Sequence, residues 1–328
     1  MKQNQAGDLR LFFAFKQGRV GAWWRMQYLV RHRTVYDYPD KVAESHHLAR
    51  LRPLHDAGQQ CLSHELTIDP VPGVRVERVD AFGNAFTFFA QQAAYGKLTV
   101  EAVSVVETSD GVVTDLEASP PWEEVVELLA EDSAAVHLEA QPFRFPTLQV
   151  PVGEALADYA RLSFTPGCPL LSAARDLTGR IFRDFKFDPT ATTVSTPVET
   201  VLKKRRGVCQ DFAHLAIACL RSLGLAVRYI SGYLETAPPP GKPRLVGADA
   251  SHAWISVYCP GTGWVDFDPT NNCIPGPRHL RLARGRDFSD VSPLRGVTFG
   301  GGGQQPKVMV DVIPHPEAAG RMPAPGNR

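Results

Sequence analysis

The chain has 328 residues, enough for two domains at about 150 residues each. Its 35 basic and 35 acidic residues cancel, so neither a basic field for nucleic acid nor a polybasic membrane anchor is expected. The hydrophobic (44%) and charged (21%) fractions are typical of a soluble globular protein. No apolar run approaches the roughly 18 residues that cross a bilayer. Nucleic-acid and membrane partners are therefore not predicted.

The six cysteines are scattered and form no CxxC pair, which excludes a disulfide-rich secreted scaffold. They are Cys61, Cys168, Cys209, Cys219, Cys259 and Cys273. The apolar residues 11–15 are too few for the roughly 7–15 residues of a signal-peptide core. The sequence therefore predicts a cytoplasmic protein, in which a cysteine with special surroundings is more often reactive than bridged.

The first part of the chain divides into an unpatterned segment and a β-rich one. Residues 1–25 show no clear periodicity, and an alternating strand begins at Met26. Translation starting at Met26 is favoured over a genuine N-terminal arm. Residues 26–115 carry short alternating runs between turn signals such as Phe82-Gly83-Asn84, with no long helical period. They predict an antiparallel β-domain of the sandwich type.

The rest of the chain combines helical and strand patterns, so the predicted fold class is α+β. Residues 116–150 are predicted to be a connector. Residues 151–313 are predicted to form a core of helices packed on an antiparallel sheet, with further strands at its C-terminal end. Residues 314–328 have the composition of a disordered tail.

Cys209 stands at the first turn of a predicted helix. Backbone N–H groups are unpaired there and the positive end of the helix dipole points at the sulfur, which favours the thiolate. Cys219 lies ten residues on within the apolar stripe of the same helix, so it is predicted to be core. The alternative for Cys209 is a small buried hydrophobic residue.

A predicted hairpin brings a histidine and an aspartate together. If Tyr258 pairs with Trp264, then His252 and Asp268 lie on one face of the sheet, within reach of each other's side chains. A shift of one residue would place them on opposite faces. Asp266, two residues before Asp268, lies on the same face of the sheet but farther from His252. The set allows Cys209 as nucleophile, His252 as general base and Asp268 as the group that orients the imidazole.

Several motifs resemble the bacterial transglutaminase-like superfamily. They are Gly207-Val208-Cys209-Gln210-Asp211, Arg228-Tyr229-Ile230-Ser231-Gly232-Tyr233, Ser251-His252-Ala253-Trp254 and Asp266-Phe267-Asp268-Pro269-Thr270. The resemblance covers residues from about 26 to 313. It implies a papain-like core with Cys209, His252 and Asp268 as catalytic triad, and an oxyanion hole that includes the backbone N–H of Cys209. Phe185 and Phe187 stand where many relatives carry tyrosine, so a second oxyanion donor is not assigned.

The function that follows is thiol-dependent acyl transfer at an amide of a protein or peptide. Hydrolysis, as by a cysteine protease or amidase, is favoured. A transglutaminase that uses an amine acceptor and a non-catalytic binding module are the alternatives. The choice of acceptor depends on access to the site, including the loop at residues 237–250. The sequence does not predict the oligomeric state.

No cofactor and no metal site are predicted. Several residues near the N-terminus could suggest zinc, but their spacing fits no regular ligand pattern: His46, His47, His55, Cys61 and His64. No acidic calcium-binding loop is visible. The glycine run at residues 300–303 lacks the Lys-Ser/Thr of a phosphate loop and is predicted to be a turn.

Overall fold

The computed structural model describes residues 25–109, 114–131, 135–236, 251–303 and 305–315. The predictions made for residues 1–24, for the loop at 237–250 and for the tail beyond residue 315 lie outside the described residues. Within them, no helix has both the length and the apolar character that crossing a bilayer requires. All six cysteines are free thiols. The cytoplasmic location stays a prediction.

The N-terminal domain is a curved antiparallel sheet. Its first five strands are β1 (Arg25–Ala49), β2 (Gln59–Asp69), β3 (Val74–Val79), β4 (Ala85–Gln91) and β5 (Tyr95–Ser109), in the order β2-β5-β1-β4-β3. The long strand β1 pairs first with β5 and then, near its end, with β4. The curved sheet encloses an apolar cluster that includes Val42, Phe89, Leu98 and Val100. The predicted N-terminal antiparallel β-domain is therefore confirmed.

The second domain combines helices with a four-stranded antiparallel sheet. The helices are α1 (Trp122–Glu131), α2 (Ala135–Leu138), α3 (Glu154–Arg161), α4 (Leu170–Asp184), α5 (Val198–Lys204), α6 (Cys209–Ser222) and α7 (Phe288–Val291). Two short strands, β6 (Lys186–Phe187) and β7 (Arg206–Gly207), pair in parallel. The main sheet contains β8 (Val227–Leu234), β9 (Ser251–Cys259), β10 (Gly263–Phe267) and β11 (His279–Gly285), in the order β10-β9-β8-β11. The predicted α+β fold is confirmed.

Helix α6 is the centre of this core. It is buried along nearly its whole length and packs on the face of the sheet that carries Tyr229, Ile255 and Val257. A helix whose residues are buried on nearly all sides has to be enclosed by other elements. This enclosure fixes the position of its first residue, Cys209, relative to the ends of β8 and β9.

The C-terminal strands add to the N-terminal sheet. The sequence grouped them with the core segment 151–313, but β12 (Leu294–Gly300) and β13 (Lys307–Pro314) both pair with β1. The reason is the length of β1, which has 25 residues. Strands β5 and β4 pair along one edge of β1, and the backbone groups along its other edge need hydrogen-bond partners as well. Gly300, Gly301 and Gly302 turn the chain between the two strands with φ of 90°, 83° and 70°. The predicted glycine turn is thus present.

The two domains share a hydrophobic interface. Tyr28 and Val30 of β1 pack with Tyr233 of β8 and Leu280 of β11, and Val310 and Val312 of β13 complete the cluster. The Gln59 side chain adds hydrogen bonds of 2.7 Å to both the N–H and the carbonyl of Arg281. The N-terminal sheet therefore holds β11 against β8.

We predict that Gly232→Ala destabilises the protein by about 1–3 kcal/mol, the usual cost of overpacking. Gly232 lies between β9 and β11, where an added Cβ would stand 2.2 Å from the carbonyl oxygen of Leu280 and 2.4 Å from the Trp254 ring. Urea denaturation measures the change in free energy of unfolding. Gly96→Ala is the control because a Cβ there meets nothing within 4 Å. Equal stability of the two variants would contradict this packing.

Candidate active site

Hydrogen bonds to the Asp211 side chain fix the backbone that leads into α6 at Cys209. The Asp211 carboxylate accepts hydrogen bonds from the Val208 N–H (2.8 Å) and the Thr192 hydroxyl (2.6 Å). A Cβ on Gly207 would lie 2.6 Å from the same carboxylate oxygen, so this position needs glycine. With the backbone held in this way, Cys209 is the first residue of the helix, as predicted. Unpaired backbone N–H groups lie beside its thiol.

The β9–β10 hairpin has the predicted register. Trp264 pairs with Tyr258, which puts His252 and Asp268 on one face of the sheet. The two side chains meet in a hydrogen bond of 2.7 Å from His252 Nε2 to Asp268 Oδ2. The two side chains therefore come together, as the alternation of side chains along the strands predicts.

Asp266, the other aspartate of the same parity, has a different role. Its carboxylate accepts a hydrogen bond of 3.0 Å from the Trp254 indole. Trp254 is completely buried, and its ring lies 5.9 Å from that of His252 and 5.4 Å from that of His279. Asp266 thus anchors the aromatic side chain on which the histidines pack.

Asp268 is fully buried and accepts five hydrogen bonds. Its Oδ1 accepts from the backbone N–H groups of Thr270 (2.9 Å) and Asn271 (3.1 Å). Its Oδ2 accepts from His252, from the Asn271 amide (2.8 Å) and from His279 Nε2 (3.1 Å). Burial alone would raise the pKa of Asp268, but the two histidines hold it well below its usual range. The carboxylate is therefore ionised at neutral pH.

His252 connects this carboxylate to the thiol. Its Nε2 is occupied by Asp268, so Nδ1 is the ring nitrogen that remains for the Cys209 thiol, with which His252 interacts electrostatically. Burial lowers the pKa of His252, but Asp268 and then Cys209 outweigh it and raise the pKa from 6.5 to about 10. An imidazolium beside a thiol favours a thiolate–imidazolium pair. The structure thus brings Cys209, His252 and Asp268 together in one chain of contacts.

Two further residues of the site, Asn271 and His279, were missed by the sequence analysis. Asn271 follows Asp268 in the Asp-Pro-Thr-Asn turn, where a local side-chain hydrogen bond could have been anticipated. His279 begins β11, which reaches Asp268 only because β11 pairs with β8 across the sheet. No local sequence signal marks that pairing.

The ligand atoms of His252, Asp268 and His279 lie within 4.8 Å of one another, close enough to hold a metal ion. However, both imidazoles already donate to the same carboxylate oxygen, at 2.7 and 3.1 Å. Hydrogen bonding therefore accounts for all three groups without an ion.

The other histidines considered at the sequence level have separate contacts. His46 bonds to Glu44, His64 bonds to Ser104, and His47 stacks on Phe89. His214 of α6 is buried and accepts a hydrogen bond of 3.1 Å from the Phe288 N–H. Burial lowers the pKa of His214 to about 4, so it is a neutral residue that joins α6 to α7.

Two sequence families match the chain. The bacterial transglutaminase-like N-terminal region matches residues 28–107. The transglutaminase-like superfamily matches residues 162–269, which include Cys209, His252 and Asp268. The two matches fall on the N-terminal sheet and on the core.

Among known proteins, the chain is similar to uncharacterised mycobacterial proteins over nearly their whole length. It is 41% identical to one from Mycobacterium tuberculosis over 296 residues, 88% of this chain and 93% of that protein. It is 32% identical to one from Mycobacterium leprae, over 88% of this chain and 98% of that protein. A protein-glutamine gamma-glutamyltransferase of Pseudomonas aeruginosa is 28% identical over 40% of this chain and 21% of its own length.

A solved structure shares the fold of both domains. The protein from Cytophaga hutchinsonii, described as a "Putative Cysteine Protease", superposes with a TM-score of 0.66. The match covers 88% of this chain and 92% of that one at 20% identity.

We predict that Asp268→Asn slows alkylation of Cys209 at pH 6 by about tenfold or more. The variant keeps a hydrogen-bond acceptor but removes the charge that raises the pKa of His252, so burial makes the imidazole neutral and the thiolate loses its partner. Reaction with iodoacetamide, followed by peptide mass spectrometry, gives the rate at each cysteine. In the unmodified protein the imidazolium should be lost only as the pH rises through about 10.

Asp266→Asn is the matched control because it removes a carboxylate from the same face while sparing the His252–Asp268 pair. Cys61 serves as the reference thiol within each sample. An Asp268→Asn rate equal to that of the control would show that Asp268 does not govern the ionisation of the site.

Proposed function

Because this chain belongs to the transglutaminase-like superfamily and carries its bacterial N-terminal region, we propose that it catalyses thiol-dependent acyl transfer at an amide of a protein or peptide. Cys209 is the nucleophile, His252 the general base and acid, and Asp268 the orienting carboxylate. The observation that carries this proposal is the buried His252–Asp268 hydrogen bond together with the Cys209 thiol on the same imidazole, at a helix N-terminus.

The first half of the reaction forms a thioester. The Cys209 thiolate attacks the amide carbonyl carbon, and the carbonyl oxygen takes up the electron pair. The unpaired N–H groups at the start of α6, including that of Cys209, stabilise this oxyanion. His252 donates its Nδ1 proton to the nitrogen as the C–N bond breaks, and the amine leaves.

The second half releases the acyl group. His252, now neutral, accepts a proton from water or from an incoming amine as that nucleophile attacks the thioester. Collapse of the intermediate breaks the C–S bond and regenerates the thiolate–imidazolium pair. Throughout, Asp268 keeps the Nε2–H directed towards itself, so that Nδ1 faces the sulfur.

Hydrolysis is the proposed outcome, with transfer to an amine as the second candidate. Two separate similarities support these candidates. The fold shared over both domains is with the structure whose description reads "Putative Cysteine Protease". The gamma-glutamyltransferase similarity covers a smaller part of the chain.

We predict that p-nitrophenyl acetate acylates Cys209 and that Cys209→Ala abolishes the reaction. This small ester tests the nucleophile without knowledge of the natural substrate, because it needs only an activated thiol and the oxyanion donors. Intact-mass and peptide spectrometry locate the acetyl group. Cys61→Ala, which alters a thiol on the other domain, should react like the unmodified protein. Acetylation that persists in Cys209→Ala at another residue would overturn the assignment.

We predict cleavage of a casein without incorporation of a fluorescent primary amine, with the activity lost in Cys209→Ala. Asp268→Asn should lower the rate by about 10²–10⁴-fold because the imidazole loses its orientation and charge partner. Electrophoresis reports cleavage, and gel fluorescence reports amine incorporation. Incorporation without cleavage would select transfer over hydrolysis, and activity retained in Cys209→Ala would contradict both.

A further inference from the structure

A large cleft lies between the two domains, away from the Cys209 thiol. Its volume is about 1220 Å³, and its described lining includes Asp56 and Phe82 of the N-terminal domain and Arg228, Trp264 and Asp266 of the core. Arg228 and Asp266 both flank Ser256 in the sheet register, so all three share one face. Their neighbours Tyr229, Ile255 and Val257 pack beneath α6 on the opposite face. The cleft and helix α6 therefore lie on opposite faces of the core sheet.

Four arginines line this cleft, and three of them have acidic partners. Arg281 pairs with Asp56 at 2.6 Å, and Arg284 lies 3.9 Å from the other oxygen of that carboxylate. Arg286 pairs with Asp290 at 2.8 Å. These charges are compensated within the protein.

Arg228 is the exception among the four. It has no hydrogen bond or ion pair to the described residues, whereas Arg281, whose Nε is likewise buried without a partner, is paired with Asp56 through its Nη2. Its guanidinium stacks on the Trp264 ring at 4.3 Å. Burial lowers the pKa of Arg228 to about 10 although the nearby Asp266 carboxylate acts in the opposite direction, and the side chain stays charged at neutral pH. The buried Nε therefore lacks the hydrogen bond that would offset its desolvation.

The residue directly across the sheet from Arg228 also has a side-chain atom without a hydrogen-bond partner. Ser256 of β9 pairs with Arg228 of β8 and is completely buried, and its Oγ has no hydrogen-bond partner. On the other side of Ser256, the Asp266 carboxylate already accepts a hydrogen bond from the Trp254 indole. Two neighbouring buried atoms, Arg228 Nε and Ser256 Oγ, thus have no hydrogen-bond partner among the described residues.

We propose that this cleft binds an anionic ligand, a carboxylate or a phosphate, through Arg228. A guanidinium forms two parallel hydrogen bonds with either anion, which would satisfy the buried Nε. The aromatic rings next to it, Trp264, Phe143 and Phe82, lie 5.2 to 5.6 Å apart and offer an apolar surface. The ligand therefore carries an apolar or aromatic group beside its charge.

The anion site is independent of the proposed catalysis. Cys209 is not among the described residues that line the cleft, and binding at Arg228 requires no reaction. The cleft and the triad share one structural link, since Asp266 anchors Trp254 and Trp254 packs on His252. Binding can thus be measured with Cys209→Ala protein, so failure of the proposed activity and failure of the anion site are distinguishable.

The test is calorimetric titration at constant ionic strength with three probes. N-acetylphenylalanine and phenyl phosphate carry the two candidate anions, and N-acetylphenylalaninamide is the neutral control. The key variants are Ser256→Glu, which places a carboxylate directly across from Arg228, and the uncharged Ser256→Gln. Arg228→Met removes the cation, and Arg33→Gln removes an exposed arginine of β1 that lies outside the cleft.

We predict that the wild-type protein binds one or both anions at least tenfold more tightly than the neutral amide. Arg33→Gln should bind like the wild type, and Ser256→Glu at least tenfold more weakly than Ser256→Gln, because the internal carboxylate occupies Arg228. Arg228→Met should lose binding while keeping its fold by circular dichroism, and it tests the proposal even if Ser256→Glu does not fold. The stronger anion identifies the ligand class.

Three results would overturn the proposal. One is equal binding of N-acetylphenylalanine and its amide together with no binding of phenyl phosphate. Another is anion binding that Arg228→Met leaves unchanged. The third is equal anion affinity in folded Ser256→Glu and Ser256→Gln, which would mean that water alone satisfies Arg228.

Discussion

The carboxylate of Asp268 is buried without solvent contact and yet ionised, and the candidate site is built around the donors that make this possible. Two backbone N–H groups, one amide and two imidazoles converge on its two oxygens. Removal of such a charge from water is costly unless its hydrogen bonds are replaced. The position and protonation of His252 follow from this requirement, and the thiol of Cys209 meets the imidazole that Asp268 holds.

The two domains contribute to this arrangement in different ways. The core sheet supplies His252 and Asp268 from one hairpin, and α6 presents Cys209 at its end. The N-terminal sheet holds β11 in place through the shared apolar cluster and the hydrogen bonds of Gln59, and β11 carries His279 to Asp268. The return of β12 and β13 to β1 closes the second edge of the N-terminal sheet around the same interface. The N-terminal domain therefore supports the candidate site although it provides none of the three residues proposed as the triad.

The polar groups of the candidate site and those of the cleft differ in how fully they are hydrogen-bonded. Around the candidate site, the Asp211 carboxylate accepts from the Val208 N–H, and His252 is partnered by Asp268 and Cys209. On the cleft side, Arg228 and Ser256 are adjacent and both have buried atoms without partners. Native proteins rarely leave such groups unsatisfied, which supports the anion site proposed for this cleft. Trp254 separates the two regions, because it packs on the histidines while its indole donates to Asp266.

The sequence alone determined the local parts of the site. The start of α6 at Cys209 follows from helix-end chemistry, and the His252–Asp268 pair follows from the period of two along the strands of a short hairpin, because both are set by neighbours in the chain. Tertiary structure decided the rest. His279 reaches Asp268, β12 and β13 join β1, and Arg228 remains unpaired only because distant segments pack together, and pairings between distant segments leave no periodic signal in the sequence.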